Sequence, residues 1–599
     1  MPGFRPSRRS TLAGGAAAVL AGAATPAHGT AAGEHGWVTS TLKRMSLEEK
    51  IGQLFVQHVY GSDAETADER NVPLYGVGAP AEVVRKYHLG GICYFAWTDS
   101  VEDPDQITAL SNGLQRAALG RRGGGRSPRV PLTISVDQEQ GPVTRIGPPA
   151  TQFPGSMALG AGRSSRDARR AAAITGRELH AMGISMDFAP VCDVNVNPLN
   201  PVIGTRSFSS DPTLAATLTS AQVEGYQRDG RVSSAAKHFP GHGDTDTDSH
   251  VGFPVITHSR EEWERLDAPP FKAAIRSGID MIMTAHLSMP ALDDSGDPAT
   301  LSEAVVTGLL REELGFEGVV ITDSLRMDGV REEYGDGEVA VRALTAGVDQ
   351  LLMTPAMDEA LAAVRTAVED GTISRRSLDD KVRRVLTVKY RRGLVDRPYA
   401  DPDEVDSVVG TRRHLAVADD VTDRTTTLVK DDASAVPLDP DGSSVLLTGY
   451  GSETLKALAA ALTDAGARTS TEVTGEAPSD DDIAAAVAAA KKADTVVVTT
   501  MKAGDTATDE QGGQAKLVKQ LLKTDATVIV LAVRDPYDIN QFTDAPTYLA
   551  TYVDNAVAME AAARVLLGEV APQGKLPVDI PEADDPDTVL YPFGHGLTG

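Results

Sequence analysis

Eight short apolar runs rich in β-branched residues, spread over residues 50–395, constrain the fold of this 599-residue chain most strongly. Helix-length segments separate the runs, and near-continuous apolar strands of this kind are typical of parallel strands buried on both faces. The runs are Gln53–Val59, Gly91–Phe95, Leu132–Val136, Ile184–Phe188, Val232–Ala236, Asp280–Met283, Val319–Thr322 and Val348–Met353. Eight such units predict a (β/α)₈ barrel, and periodicity alone leaves a doubly wound open sheet as the alternative.

Polar side chains follow five consecutive runs. They are Asp137 after the third run, Asp193 beyond the fourth, Lys237 and His238 after the fifth, His286 after the sixth and Asp323 after the seventh. Barrel enzymes carry their chemistry in the loops at the carboxyl ends of the strands, so these groups are expected to converge at one mouth. A single such residue is usually a helix cap or a solvated loop residue, but five in succession favour an enzyme.

The composition divides the chain into four parts. Residues 1–33 are predicted to be a signal and short linker, 34–395 the barrel, 396–421 a Pro- and Asp-rich linker, and 422–599 a second α/β domain. In the last part SVLLTGYG, DTVVVTT and TVIVLAVRDP predict strands of a parallel or mixed sheet, while Ser479–Ala493 and Ala556–Leu567 predict helices.

The N-terminus has the pattern of a twin-arginine export signal. Arg8 and Arg9 precede the Ala-rich run Ala13–Ala24, and cleavage is expected near Ala27. The run is too short to span a bilayer, and no other run is long enough to anchor the chain. We therefore expect a secreted protein without an integral membrane segment, found outside the cell or at the cell wall.

The net charge limits the partners that this chain can bind. Its 57 Lys and Arg against 84 Asp and Glu give −27, which argues against nucleic acid or an anionic membrane as the main partner. The two cysteines form neither a disulfide scaffold nor a thiolate metal site. The oligomeric state is left open.

The densest polar segment is KHFPGHGDTDTDSH, residues 237–250. Its three His and three Asp could ligate a metal, but it has neither a helical His-x-x-x-His pair nor a cysteine, so no metal or other cofactor is expected. Asp248 and His250 are two residues apart and would point to one side of an extended stretch. A carboxylate beside an imidazole makes a proton donor that works near neutral pH. Asp323 in GVVITDS, rigidly held at a strand end, is then the candidate nucleophile for double displacement at an acetal carbon.

These residues resemble the family 3 glycoside hydrolases and, within them, the β-N-acetylglucosaminidases. The resemblance runs through LEEKIGQLF, VDQEQGPVTRI, FAPVCDVNVNPLNPVIGTRSFSSDP, KHFPGHG, PATLS, GVVITDSLRMDGV, TLVKDD and PQGKLPV, which together cover nearly the whole mature chain. The segment from KHFPGHG to the Asp-Ser-His pattern, residues 237–250, is the most specific part. Glucosidase-type members lack it and take their acid from a carboxylate of the second domain.

The resemblance implies that Asp323 is the nucleophile and that His250 is the acid/base, assisted by Asp248. It also implies a set of residues that bind the terminal sugar. These are Asp137, Arg145, Arg206, Lys237 and His238. His286 is added to this set, although a place beneath the pocket is favoured for it. Arg206 could instead pair with Asp211, and Asp193 and Asn195 could brace loops.

The implied reaction is retaining hydrolysis of terminal, non-reducing β-linked N-acetylglucosamine from muropeptide or chitin fragments. An imidazole in place of a second carboxylate repels phosphate less, so phosphorolysis is an alternative. A family 3 β-glucosidase or xylosidase is a weaker one, and so are a binding protein without activity and a metal-dependent hydrolase.

Overall fold

The computed structural model describes residues 31–120, 128–249, 252–331, 334–439 and 443–598. The predicted export signal, with the exception of its last three residues, and His250 lie outside these ranges. Within these ranges, no helix is both long and apolar enough to cross a bilayer.

The eight predicted strands form a closed parallel barrel. They are β1 Phe55–Gln57, β2 Gly91–Tyr94, β3 Thr133–Val136, β4 Met186–Asp187, β5 Ser233–Phe239, β6 Met281–Thr284, β7 Val319–Ser324 and β8 Gln350–Leu352. Closure comes from β1, which pairs with both β2 and β8, as in Phe55 opposite Leu351. This pairing confirms the barrel and excludes the open sheet.

Helices surround the barrel and follow most of its strands. The main ones are Ala31–Arg44, Leu47–Gly52, Pro80–Tyr87, Pro104–Leu119, Ser165–Ala181, Pro212–Glu224, Ala268–Arg276, Asp336–Ala346, Met357–Glu369 and Arg375–Arg391. Two π-helical segments, Gly225–Asp229 and Ala304–Glu313, and the short helices Val72–Tyr75, Ser156–Gly162, Arg260–Arg265 and Asp328–Arg331 complete the layer. Alternating strands and helices bury one large core between the barrel and this layer, and a smaller one inside the barrel.

The second domain is a three-layer α/β unit. Its strands are β9 Thr427–Asp431, β10 Ser444–Gly449, β11 Arg468–Val473, β12 Thr495–Thr500, β13 Thr527–Ala532 and β14 Thr547–Ala550. They form a mixed sheet in the order β11-β10-β12-β13-β14-β9, in which only β9 is antiparallel. Helices Ser452–Asp464, Asp480–Ala490, Gly513–Leu521 and Ala556–Leu566 cover its faces, and β15 Ile580–Pro581 pairs with β16 Val589–Tyr591. Ser479 caps its helix as expected, with Asp482 completing the capping box.

The segment predicted to be a linker, 396–421, is largely helical. It contains a helical turn at Pro402–Glu404 and the helices Val405–Val408 and Arg412–Thr422, the last of which continues one residue beyond the segment. Ala418 and Val421 of that last helix are buried in a core shared with the barrel side. The Pro- and Asp-rich sequence did not predict these helices, because it is typical of a loop, whereas Asp401 and Thr411 act here as helix caps.

The two domains share a packed interface. Met157, Ala158 and Ala161 of the barrel domain belong to the core on one face of the second domain's sheet. The Ser209 hydroxyl donates to the Pro577 carbonyl at 2.5 Å, and the side-chain N–H of Asn195 donates to the Tyr537 hydroxyl at 3.2 Å. The second domain thereby braces the loops that follow β4.

Candidate active site

A cavity of about 430 Å³ opens at the carboxyl ends of the barrel strands. Its size lies within the range of small-molecule sites, about 300–1,000 Å³. The residues that line it are Phe95, Trp97, Asp137, Glu139, Val143, Arg145, Val202, Arg206, Lys237, His238, His242, Ser249, Met283, Asp323, Ser324, Arg326, Met327, Leu352 and Met353. Six of the predicted site residues are therefore brought together here: Asp137, Arg145, Arg206, Lys237, His238 and Asp323.

Four charged residues form what we call the cavity floor: Asp137, Glu139, Arg206 and Lys237. The Lys237 ammonium lies 2.7 Å from Asp137 Oδ1 and 2.6 Å from Glu139 Oε1. Arg206 donates to both oxygens of Glu139, at 2.9 and 2.8 Å. Burial raises the pKa of Glu139, but Arg206 and Lys237 outweigh burial and hold that pKa well below its ordinary value. Glu139 is therefore ionised, and the short salt bridges orient the four side chains toward one another.

Asp137 of the cavity floor and Arg145 beside it present hydrogen-bonding groups that a ligand can use. Asp137 Oδ2 lies 4.0 Å from an Arg145 Nη atom, beyond hydrogen-bonding distance, and the Arg145 side chain is one third exposed. A planar guanidinium donates to sugar oxygens, and a carboxylate can accept from two vicinal hydroxyls. The geometry suits the recognition of a polyol.

Arg206 does not pair with Asp211, which was the alternative role for it. The Asp211 side chain instead accepts from the Leu214 N–H and caps the helix Pro212–Glu224. Arg206 is directed to Glu139 because the loop that carries it folds over the mouth after β4. Glu139 itself was not among the predicted site residues, although it lies only two positions after Asp137.

His238 connects the cavity floor to Asp323. Its Nδ1 lies 2.7 Å from Asp193 Oδ2, while its Nε2 lies 3.3 Å from Arg206 Nη2 and 3.8 Å from Asp323 Oδ2. Asp193 also accepts the backbone N–H groups of His238 and His242. Asp193 thus braces two loop residues, as one of its two predicted roles required, and it fixes the orientation of the His238 ring.

Asp323 lies at the end of β7, as predicted, with about a fifth of its side chain exposed to the cavity. Its Oδ1 accepts the Ser324 N–H at 2.6 Å, which leaves Oδ2 toward His238. Burial raises the pKa of Asp323, but the nearby imidazoles of His238 and His286 outweigh burial, and the pKa lies below its ordinary value. The carboxylate is therefore ionised at neutral pH.

His286, which was added to the predicted substrate-binding set, is not among the residues that line the cavity. Its Nε2–H donates to the Ser324 carbonyl at 3.0 Å, and its Nδ1 is 2.9 Å from the Thr300 hydroxyl. Burial lowers the pKa of His286. His286 therefore supports the backbone next to Asp323 from beneath.

The segment after β5, residues 241–249, reaches the cavity and is called the β5 loop. The Ser249 hydroxyl lies 3.0 Å from His242 Nε2, and both residues line the cavity wall. Asp248 is partly buried in this loop. The predicted Asp248–His250 pairing stays a prediction, since His250 lies outside the described residues.

An aromatic cluster borders the mouth and was not predicted. Trp97, with 47% of its surface exposed, stacks on Phe95 at 5.1 Å between ring centroids. His58 and Tyr60 lie beside Trp97 at 5.0 and 5.6 Å. The sequence signal was weak because Trp97 comes after a strand that ends in apolar residues, where an aromatic residue is usually part of the core.

A buried carboxyl group beneath the cavity floor gives a prediction about pH. Asp187 of β4 is fully buried and accepts the Gln138 N–H at 2.9 Å. Burial raises its pKa from 3.8 to about 8, so the folded protein keeps a proton there that the unfolded chain has released. This group therefore lowers stability progressively as the pH rises from its ordinary pKa to about 8.

We expect Asp187→Asn, which keeps the acceptor for Gln138, to increase the free energy of unfolding relative to the native chain. The gain should grow from about pH 4 to about pH 8, because the native chain loses stability over that window and the amide does not titrate. Urea unfolding of both proteins at several pH values measures this. A gain that is independent of pH would contradict the assignment.

Comparison with known proteins identifies the family to which this architecture belongs. Residues 46–388 match the glycosyl hydrolase family 3 N-terminal domain, and residues 426–599 match the family 3 C-terminal domain. A solved family 3 β-N-acetylglucosaminidase from Paenibacillus sp. str. FPU-7 is 37% identical with a TM-score of 0.80, over 89% of this chain and 99% of its own. Beta-hexosaminidase A of Pseudoalteromonas piscicida is 38% identical over 52% of this chain, and the match spans only 55% of that relative. A Cellulomonas fimi protein named beta-N-acetylglucosaminidase/beta-glucosidase is 32% identical over 67% of this chain and 68% of its own length. The chain belongs to glycoside hydrolase family 3.

Proposed function

We propose that this protein is an exo-acting, retaining β-N-acetylglucosaminidase that removes terminal, non-reducing β-linked N-acetylglucosamine. The observation that carries the proposal is the ionised Asp323 in a cavity whose floor and wall present Asp137, Arg145, Lys237 and His238. Similarity to the Paenibacillus β-N-acetylglucosaminidase supports the choice of sugar.

In the proposed mechanism, Asp323 Oδ2 attacks the anomeric carbon while His250 protonates the oxygen of the leaving group. The bond to the aglycone breaks as the bond to Asp323 forms, which gives a glycosyl-enzyme with inverted configuration. Water then attacks the same carbon, His250 takes its proton, and Asp323 leaves with net retention. Asp248 raises the basicity of His250, and the cavity floor holds the sugar hydroxyls.

We propose that the aglycone is a cell-wall muropeptide or a chitin fragment. The twin-arginine pattern in residues 1–33 supports export to where such glycans occur. Arg145 and the exposed Arg326 at the cavity wall, in a chain of net charge −27, would attract a carboxylate-bearing aglycone.

The test is to incubate the mature protein with an aryl β-N-acetylglucosaminide and the matching β-glucoside, each with and without phosphate. We expect free N-acetylglucosamine, unchanged by phosphate, and a kcat/KM that favours the first substrate by at least about tenfold. A sugar phosphate would make the protein a phosphorylase with the same residues. Preferred cleavage of the glucoside would contradict the proposed sugar, and His250 would lose its role.

A further inference from the structure

A second charged cluster lies outside the cavity, at the base of the β5 loop. His258 is placed between two carboxylates, with Nε2 at 2.9 Å from Asp244 Oδ2 and Nδ1 at 2.8 Å from Asp267 Oδ2. His258 and Asp267 are buried, while the Asp244 side chain is one third exposed. None of the three lines the cavity.

The geometry fixes the charge of this ring. Because each ring nitrogen faces a carboxylate oxygen, both nitrogens must carry a hydrogen, and the ring is an imidazolium. The hydrogen bonds that the ring donates to Asp244 and Asp267 accordingly raise the pKa of His258 to about 10. A cation between two anions is a directional bridge with two short hydrogen bonds rather than a packing contact.

One end of the bridge is rigid. Asp267 directly precedes the helix Ala268–Arg276 and is 1% exposed. It is pressed against the start of the β5 loop, since a Cβ added at Gly241 would lie 2.8 Å from its Cβ. The indole N–H of Trp263, four residues earlier, donates to the Pro240 carbonyl at 2.9 Å. The segment 263–267 therefore holds the residues from which the loop departs.

The other end of the bridge is the β5 loop itself. From Asp244 the chain runs five residues to Ser249 on the cavity wall, by way of Asp248. A displacement at Asp244 would therefore be carried to the part of the loop that borders Asp323. Misplacing a proton donor by about 1 Å can cost about 100-fold in rate.

We propose that His258 is a positioning residue for proton transfer, in which its imidazolium joins Asp244 to Asp267 and so sets the path of the β5 loop. This inference rests on the proposed function, because it assumes that the loop leads to the acid/base at His250. It assigns a role in the reaction to a histidine that does not contact the cavity.

The test compares leaving groups. Loss of acid assistance slows glycosides of poor leaving groups such as phenol and spares 2,4-dinitrophenyl glycosides, whose leaving group needs little protonation. We expect His258→Gln to lower kcat/KM for phenyl β-N-acetylglucosaminide by about 10- to 100-fold and to change the value for the dinitrophenyl substrate by less than about threefold. His250→Ala should show the same selectivity with a larger loss.

Two further variants keep the test decisive. Asp244→Asn removes the negative charge from only the partly exposed end of the bridge and so weakens it, and it should reproduce the selectivity even if His258→Gln fails to fold. His414→Gln is the matched control, because His414 also bonds a buried carboxylate, Glu178, at 2.7 Å but does not line the cavity. It should affect both substrates equally or not at all.

The outcomes separate the two proposals. If His250→Ala shows no selectivity between leaving groups, the proposed function is wrong. If His250→Ala is selective but both His258→Gln and Asp244→Asn lower the two rates equally, or leave both unchanged, then His258 has no positioning role.

Discussion

Asp323→Ala is expected to abolish hydrolysis of aryl β-N-acetylglucosaminides, with kcat falling by at least about 10⁴-fold. The carboxylate lies at the end of β7 with Oδ1 fixed by the Ser324 N–H, which leaves Oδ2 for the attack, and the alanine side chain has no such oxygen. The fold should survive, because the substitution removes a buried charge and leaves the strand pairing of β7 intact. Circular dichroism and thermal unfolding check the fold, and initial rates measure the loss.

Two observations distinguish a lost nucleophile from general damage. Azide added to Asp323→Ala should restore turnover of an activated substrate and yield the α-glycosyl azide, because the small anion attacks from the side that Asp323 occupied. In the native protein, a 5-fluoro N-acetylglucosaminyl fluoride should label the peptide containing Asp323. Asp328→Ala, which removes an exposed carboxylate five residues away, is the control and should retain activity. Labelling of another residue would refute the assignment.

The barrel was predictable because parallel strands buried on both faces must be apolar along their whole length, and all eight runs became strands. The closure of the barrel could not be predicted from periodicity. It depends on the pairing of β1 with β8, whose paired residues, such as Phe55 and Leu351, lie almost 300 positions apart in the sequence. The helix Arg412–Thr422 was missed for a different reason, since its charged exposed face resembles the sequence of a surface linker.

The candidate site was predictable as far as strand ends determine it. Asp137, Lys237, His238 and Asp323 each lie at or directly after the end of a strand, so barrel topology alone brings them to one mouth. The positions of strand ends do not predict which charged residues pair with each other. Arg206 pairs with Glu139 rather than with Asp211 because of the path of its loop, which hydrophobic periodicity does not determine. For the same reason His286, also at a strand end, lies beneath the cavity rather than in its wall.

Glu139→Gln is expected to have the largest effect on stability. The Glu139 side chain is 3% exposed and forms salt bridges with both Arg206 and Lys237, so the amide would take a charged partner away from two buried cations. Breaking a buried ion pair at one partner costs about 3–5 kcal/mol, because the remaining charge stays desolvated. We expect a loss of that order in the free energy of unfolding, together with a lower kcat/KM as Arg206 and Lys237 lose their orientation.

Glu34→Gln provides the matched comparison on the surface. Glu34 makes the same two-pronged contact with an arginine, Arg391, at 3.0 and 3.1 Å, but the arginine side chain is 60% exposed. Exposed pairs contribute about 0–1 kcal/mol and are screened by salt. Urea unfolding at low and high NaCl should therefore show a small, salt-sensitive loss for Glu34→Gln and a large, salt-insensitive loss for Glu139→Gln. Equal losses would mean that the cavity floor is solvated in solution, so that its charges could not orient a sugar as rigidly as the proposed mechanism requires.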